Sequence, residues 1–217
     1  MQLALIVTVL ALVNALAAYC AIRNLEKDYL NGDKLFSSSM NYYLLIASIV
    51  MIGCISVCFV AKNSVSYIAL TKLLGAYIFI SMAGIYDYKT RKIPNYIPIS
   101  MFCFGIVILG IESFLMKELS PYLISSLIGS LASMTVLYVA SKLSKGGVGF
   151  GDVKLFGAIG FCVGMYAVFT VMTLAIVLCA LAAVPILIMK KKTIRGDLPF
   201  APFIYLAYVI TLILSLY

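Results

Sequence analysis

The sequence predicts an all-α fold of the membrane class, a polytopic bundle of about eight transmembrane helices. Three observations predict it. Hydrophobic residues fill 64% of the 217 positions, charged residues only 11%, and mean hydropathy is +1.12, whereas a soluble domain carries about 25% charged residues. Apolar runs of roughly 20 residues recur along the chain, the length a helix needs to cross hydrocarbon at about 1.5 Å per residue. Lysine and arginine gather in alternate connections between those runs, which is how orientation in a membrane is encoded.

The runs, in order, are 3–22, 41–61, 65–86, 96–114, 122–141, 155–189 and 200–217. The first lacks a basic start and is long for a signal peptide, so it reads as a span. The run 155–189 holds no charge and is too long for one span. It divides near Gly164 into a short helix and a full one. Residues 1–64 then form two N-terminal spans and residues 65–217 a membrane core, one membrane domain overall. Helical periodicity is weak because lipid-facing helices are apolar all round.

Placing 87–95 in the cytoplasm also puts 23–40, 142–154 and 190–199 there. These segments hold 13 of the 16 basic residues, leaving Lys62, Lys72 and Lys117 on the other side. The net charge of +8 therefore reflects topology, and no nucleic-acid partner is expected. Lys72 reads as snorkelling to the outer surface.

Histidine is absent. That excludes His-based zinc protease motifs and Ser–His or Cys–His nucleophile pairs. The six cysteines, Cys20, Cys54, Cys58, Cys103, Cys162 and Cys179, lie in or beside apolar runs without a CxxC pair. They read as small apolar filler. No metal and no cofactor are expected.

Only eight residues are acidic. Glu26, Asp28 and Asp33 share a loop with Arg23, Lys27 and Lys34 and read as solvated charge. Glu112 and Glu118 flank the short outer loop around Lys117 and read as interfacial. Asp197 reads as the N-cap of the last span. Asp87 and Asp152 remain, each at the edge of an apolar run and both at one membrane face. A carboxylate at membrane depth is costly and faces a partner or a water-filled cavity. Residues 146–151 hold four glycines, ending in Gly149-Phe150-Gly151-Asp152. Glycine permits positive φ and close backbone approach, so this loop can bring Asp152 close to a substrate backbone. A phosphate cradle fits poorly, because the Walker pattern is missing and an aspartate repels phosphate. Two carboxylates held together share a proton. The ionised one activates water and the protonated one donates to the scissile carbonyl or leaving amine, a peptidase chemistry that needs neither histidine nor metal.

These residues resemble the prepilin peptidase, or type IV leader peptidase, family of GxGD-type intramembrane aspartyl proteases, in the small form without a CxxC cytoplasmic domain. Asp87-Tyr88-Lys89-Thr90-Arg91-Lys92-Ile93-Pro94-Asn95 is similar to the family's first aspartate motif. Gly149 through Leu155 is similar to the second, followed by Gly157, Gly160 and Gly164. Leu198-Pro199-Phe200-Ala201-Pro202-Phe203 is similar to the segment before the final span. The resemblance implies cleavage of a prepilin-like leader at the cytoplasmic face of the plasma membrane. The substrate it implies has a basic leader followed by an apolar helix, and Asp87 and Asp152 are the implied catalytic pair. Gly149 and Gly151 form the loop of the site. Lys154 reads as tuning the pair or anchoring lipid headgroups, and Pro94 as ending the Asp87 helix. Asn95 stands beside them as a candidate substrate contact. Pro199 and Pro202 read as a bend near the site or as plain helix punctuation. Many bacterial members carry paired CxxC motifs between the first two spans and also N-methylate the new terminus. The matching loop here, 23–40, has no cysteine, so the zinc module is not expected and methylation is not carried over.

Two other readings compete. A presenilin or signal-peptide-peptidase type of protease fits Gly-x-Gly-Asp loosely, but Leu-Pro-Phe-Ala-Pro stands where Pro-Ala-Leu is expected. A proton-coupled transporter would use Asp87, Asp152 and Lys72 as a relay, but no paired halves are visible.

Overall fold

The computed structural model describes residues 67–116, 120–144, 147–188 and 199–214. The two N-terminal spans, the loop 23–40 and the acids in it, Lys117, Glu118, Lys145, Gly146 and residues 189–198 lie outside the described residues. So does the boundary at residue 64.

Among the described residues all regular structure is helical: α1 (Tyr67–Thr90), α2 (Tyr96–Met116), α3 (Ser120–Leu143), α4 (Phe150–Val163), α5 (Met165–Ile188) and α6 (Ala201–Ile213). Four of them, α1, α2, α3 and α5, are long and apolar enough to cross a membrane. The chain is an all-α membrane protein. The apolar run 155–189 does break at Gly164, which takes φ 86°, a backbone state open to glycine and strained for other residues. Gly164 N–H still donates to Gly160 O at 3.0 Å, and the Met165 N–H finds Ser125 Oγ at 3.3 Å. The break therefore keeps its backbone groups paired, as a membrane interior requires.

Helix α4 is the centre of the bundle. It is only 14 residues long, and ten of them are buried, with α3 on one side and α1, α2 and α5 around the rest. The α3–α4 seam is built from small residues stepping in opposite directions. Gly164 lies against Ser125, Gly160 against Gly129, and Phe156 O accepts the Ser133 hydroxyl at 3.0 Å. About two turns further on, Val148 O accepts Ser141 Oγ–H at 2.8 Å. A Cβ placed on Gly160 would meet Gly129 O at 2.4 Å. Two backbones in van der Waals contact supply the attraction that lipid-solvated helices otherwise lack.

Helices α1 and α6 pack on the opposite side. Their contact buries Tyr77, Ile80, Ile204 and Tyr208. The buried phenols are satisfied: Tyr77 and Tyr205 share a hydrogen bond of 2.9 Å, and Tyr208 donates to Leu73 O at 2.8 Å. The far end of the bundle corrects two expectations. Glu112 is buried rather than interfacial, and Lys72 does not snorkel free. Their side chains form an ion pair between α2 and α1, with the Lys72 ammonium 5.6 Å from the Tyr122 ring centre. A charge in apolar surroundings is tolerated when it is paired.

Candidate active site

The two aspartates of the sequence reading stand at the same end of the bundle. Helix α1 runs past Tyr86, the end of its apolar run, and closes at Thr90. Asp87 is thus held inside the last turn and is 7% exposed. Gly84, one turn earlier on the same face, leaves room for the start of α6. A Cβ there would touch Ala201 O and the Pro202 Cα at 3.7 Å. The Asp87 carboxylate consequently reaches the first turn of α6, where Oδ2 accepts the Ala201 N–H at 2.9 Å and the Phe200 N–H also bonds to the carboxylate. Free N–H groups and the positive end of the dipole make a helix start a natural seat for an anion.

This contact was not legible in the sequence. Asp197 was expected to cap the last helix. The structure starts α6 at Ala201 with Phe200 at the N-cap position and no side-chain cap of its own, and Asp197 lies outside the described residues. Asp87 of α1 serves the role instead. Pro202 sits in the first turn of α6, so Pro202 punctuates a helix start rather than bending a helix. The available signal was the pairing of a membrane-depth acid with a proline-flanked helix start elsewhere in the chain.

Asp152 comes from the first turn of α4. Gly149 is the N-cap residue, with φ −66° and ψ 140°, and its carbonyl accepts the Asp152 N–H at 3.1 Å. Neither Gly149 nor Gly151 has positive φ; among the described residues only Arg91 and Gly164 do. The glycines of this loop serve close approach. A Cβ on Gly149 would stand 3.1 Å from Asp152 Oδ2, and a Cβ on Gly151 would stand 3.1 Å from the Ile93 Cβ. Asp152 is 9% exposed, and its Oδ1 is buried without a donor among the described residues. The charge of Asp87 acts on it directly. Two buried carboxyl groups, from the last turn of α1 and the first turn of α4, therefore lie at one end of the bundle, near enough for the charge of one to bear on the other, one held by backbone donors and the other open on one oxygen.

The connection 91–95 closes the site. Arg91 caps α1 in a left-handed conformation at φ 54°, its N–H donating to Asp87 O at 2.9 Å, and its charge bears on the Asp87 carboxylate. Glycine is the usual residue in that conformation. Pro94 ends the connection by starting a turn, its carbonyl accepting the Ile97 N–H at 3.1 Å. Asn95 accepts Lys154 Nζ–H on its side-chain oxygen at 2.9 Å. Lys154 also lies 5.4 Å from the Phe150 ring centre. The Lys72–Glu112 pair lies toward the other end of α1 and α2 and takes no part in this cluster.

The profile of the type IV leader peptidase family matches residues 73–184, half of the chain and all of α1 from Leu73 to well into α5. The chain belongs to the type IV leader peptidase family. The matched region contains Asp87, the connection 91–95 and Asp152, while the α6 start that holds Asp87 lies beyond it. Curated relatives agree. The chain is 28% identical to a prepilin leader peptidase/N-methyltransferase of Bacillus subtilis over 151 residues, covering 68% of this chain and 58% of that protein. It is 28% identical to a preflagellin peptidase of Methanocaldococcus jannaschii over 144 residues, 58% of this chain and 59% of that protein. A prepilin leader peptidase/N-methyltransferase of Xanthomonas campestris matches at 25% over 129 residues, 59% of this chain and 44% of that protein. The chain thus spans less than two thirds of the length of each leader peptidase relative. No solved structure matches.

Proposed function

We propose that the protein is an aspartic endopeptidase that removes the leader of prepilin-like precursors at the cytoplasmic face of the plasma membrane, with Asp87 and Asp152 as its catalytic pair. The observation that supports the reading is that both carboxyl groups are buried at the same end of the bundle, the charge of Asp87 bearing on Asp152. Membership in the leader peptidase family and the names of the three relatives support the substrate class.

In this mechanism the pair holds one proton, because burial and mutual repulsion oppose double ionisation. The ionised carboxylate takes a proton from water as the water oxygen attacks the scissile carbonyl carbon. The other carboxyl supplies its proton to the carbonyl oxygen, giving a gem-diol; as the carbon–nitrogen bond breaks, the pair passes the proton taken from water to the leaving amine and takes one back from a diol hydroxyl, which becomes the carbonyl of the new carboxyl group. The pair ends with one proton, as it began. Gly149 and Gly151 act by letting the loop close on Asp152 and on Ile93. The substrate is a basic leader joined to an apolar helix, and the lysines and arginines of the cytoplasmic connections hold the enzyme's orientation.

The test is coexpression of the full chain with candidate prepilins, followed by N-terminal sequencing and mass measurement of the product. Asp87→Asn and Asp152→Asn should each abolish leader removal while the protein still inserts and folds. Normal processing by either variant refutes the pair. The proposal is confined to leader removal. The names of two relatives add N-methyltransfer and that of the archaeal one does not, and the product mass decides the matter for this chain.

A further inference from the structure

The first turn of α4 meets the 91–95 connection along a single face. Gly151 and Lys154 are three residues apart and share a side of the helix. Gly151 packs tightly on Ile93, where an added Cβ would stand 3.1 Å from the Ile93 Cβ, and Lys154 donates to Asn95 Oδ1 at 2.9 Å. Asp152 lies two residues before Lys154, so the two side chains leave the helix in different directions. The Lys154 ammonium is thus directed to Asn95 and the Phe150 ring. Asn95 stands at the start of α2, where its carbonyl accepts the Ile99 N–H at 3.3 Å. Asparagine at a helix start commonly turns its side chain onto that helix. Here the Asn95 oxygen reaches across to another helix.

We propose that the Lys154–Asn95 hydrogen bond is a latch that fixes the spacing between the Asp87 and Asp152 helix ends, making both residues positioning residues of the reaction. The inference rests on the peptidase reading for its catalytic consequence but not for its geometry. The connection that Asn95 terminates begins at Arg91, on the turn that carries Asp87. A tie from Lys154 to Asn95 therefore closes a short loop of contacts: Asp87, the connection, Asn95, Lys154, and back through one turn of α4 to Asp152. Reacting groups tolerate little misplacement, so a weak, exposed tie can matter to rate without mattering to global stability.

The experiment uses the full chain and its Lys154→Met, Asn95→Ala, doubly substituted and Asn95→Asp forms. Two readouts are taken: steady-state cleavage of a prepilin, and backbone hydrogen exchange of the 91–97 and 147–155 regions. Each single substitution should lower kcat about tenfold or more with KM held within about twofold, and exchange in both regions should rise while the thermal midpoint stays put. The double substitution should lose no more than either single one, because both remove the same bond. Asn95→Asp, which keeps an acceptor oxygen, should restore the rate. Single variants that match the parent in rate and exchange overturn the latch, as does a double variant whose loss is the product of the single losses. If the parent chain cleaves no prepilin, the peptidase reading fails, and the exchange arm alone decides whether the latch exists.

Discussion

Asp87 Oδ2 accepts the backbone N–H of Ala201 at 2.9 Å, so an acid from the first described helix caps the last one. The bond joins two functions that are usually separate, holding the bundle together and presenting a carboxylate. Asp87→Ala should therefore cost stability as a lost cap does, about 1 kcal/mol or somewhat more because the acceptor is charged. Asp87→Asn keeps an acceptor oxygen and should cost less. Thermal unfolding of the detergent-solubilised chain by circular dichroism should rank parent, Asn and Ala in that order, while both variants lose leader processing.

Asp152 predicts the opposite balance. Its Oδ1 is buried without a donor among the described residues, and the Asp87 charge opposes its ionisation. Asp152→Asn puts a neutral amide where a second ionisable carboxyl is buried beside Asp87, so the variant should unfold no earlier than the parent, and up to about 1 kcal/mol later. Cleavage should fall by about a hundredfold or more, the usual scale for losing a general acid or base. A variant that unfolds much earlier would show that the carboxylate has a structural partner.

Gly149→Ala tests close approach. The added methyl would stand 3.1 Å from Asp152 Oδ2, too near to leave the carboxylate in place. Cleavage should drop by about tenfold or more, with the thermal midpoint nearly unchanged because the residue is exposed at the helix start. A fully active Gly149→Ala enzyme would remove the steric reason for this glycine.

The α3–α4 seam gives a stability test independent of any activity. Gly160→Ala puts a methyl 2.4 Å from the Gly129 carbonyl oxygen, and backbone on both sides cannot move aside. A loss of about 1–3 kcal/mol is expected, the range for overpacking. Gly110→Ala is the control, since no described residue lies within 4 Å of that site, and it should match the parent. Equal midpoints for the two variants would count against the seam.

Much of this fold could be read from composition and run length. Asp87 and Asp152 stood out because so few acids border apolar runs, and the division at Gly164 followed from a charge-free run too long for one helix. What escaped the reading were the tertiary partners. Helix α1 continues through Asp87 although its apolar run ends at Tyr86, because the carboxylate finds donors on α6. Glu112 and Lys72 are 40 positions apart and each looked interfacial alone; the pairing that buries them comes from packing. The sequence offers positive φ or close approach as the use of Gly149 and Gly151, and their φ values and neighbours show close approach. In a helix apolar on every side, periodicity says little about which face meets which neighbour, so such contacts leave only faint marks in one sequence.

Helix α4 spans less depth than its neighbour. The α3–α4 contacts run from Ser125 beside Gly164 to Ser141 beside Val148, which sets Asp152 level with Leu137, six residues before α3 ends. At about 1.5 Å per residue this is roughly 9 Å inside the end of α3. On the proposed peptidase reading, a bond brought to that level belongs to an apolar substrate helix whose peptide groups are locked in their own hydrogen bonds. Cutting there calls for a stretch of substrate that unwinds at a set immersion. On that same reading, the fourteen-residue helix works as a gauge, selecting the cut by its depth below the end of α3 as well as by residue identity.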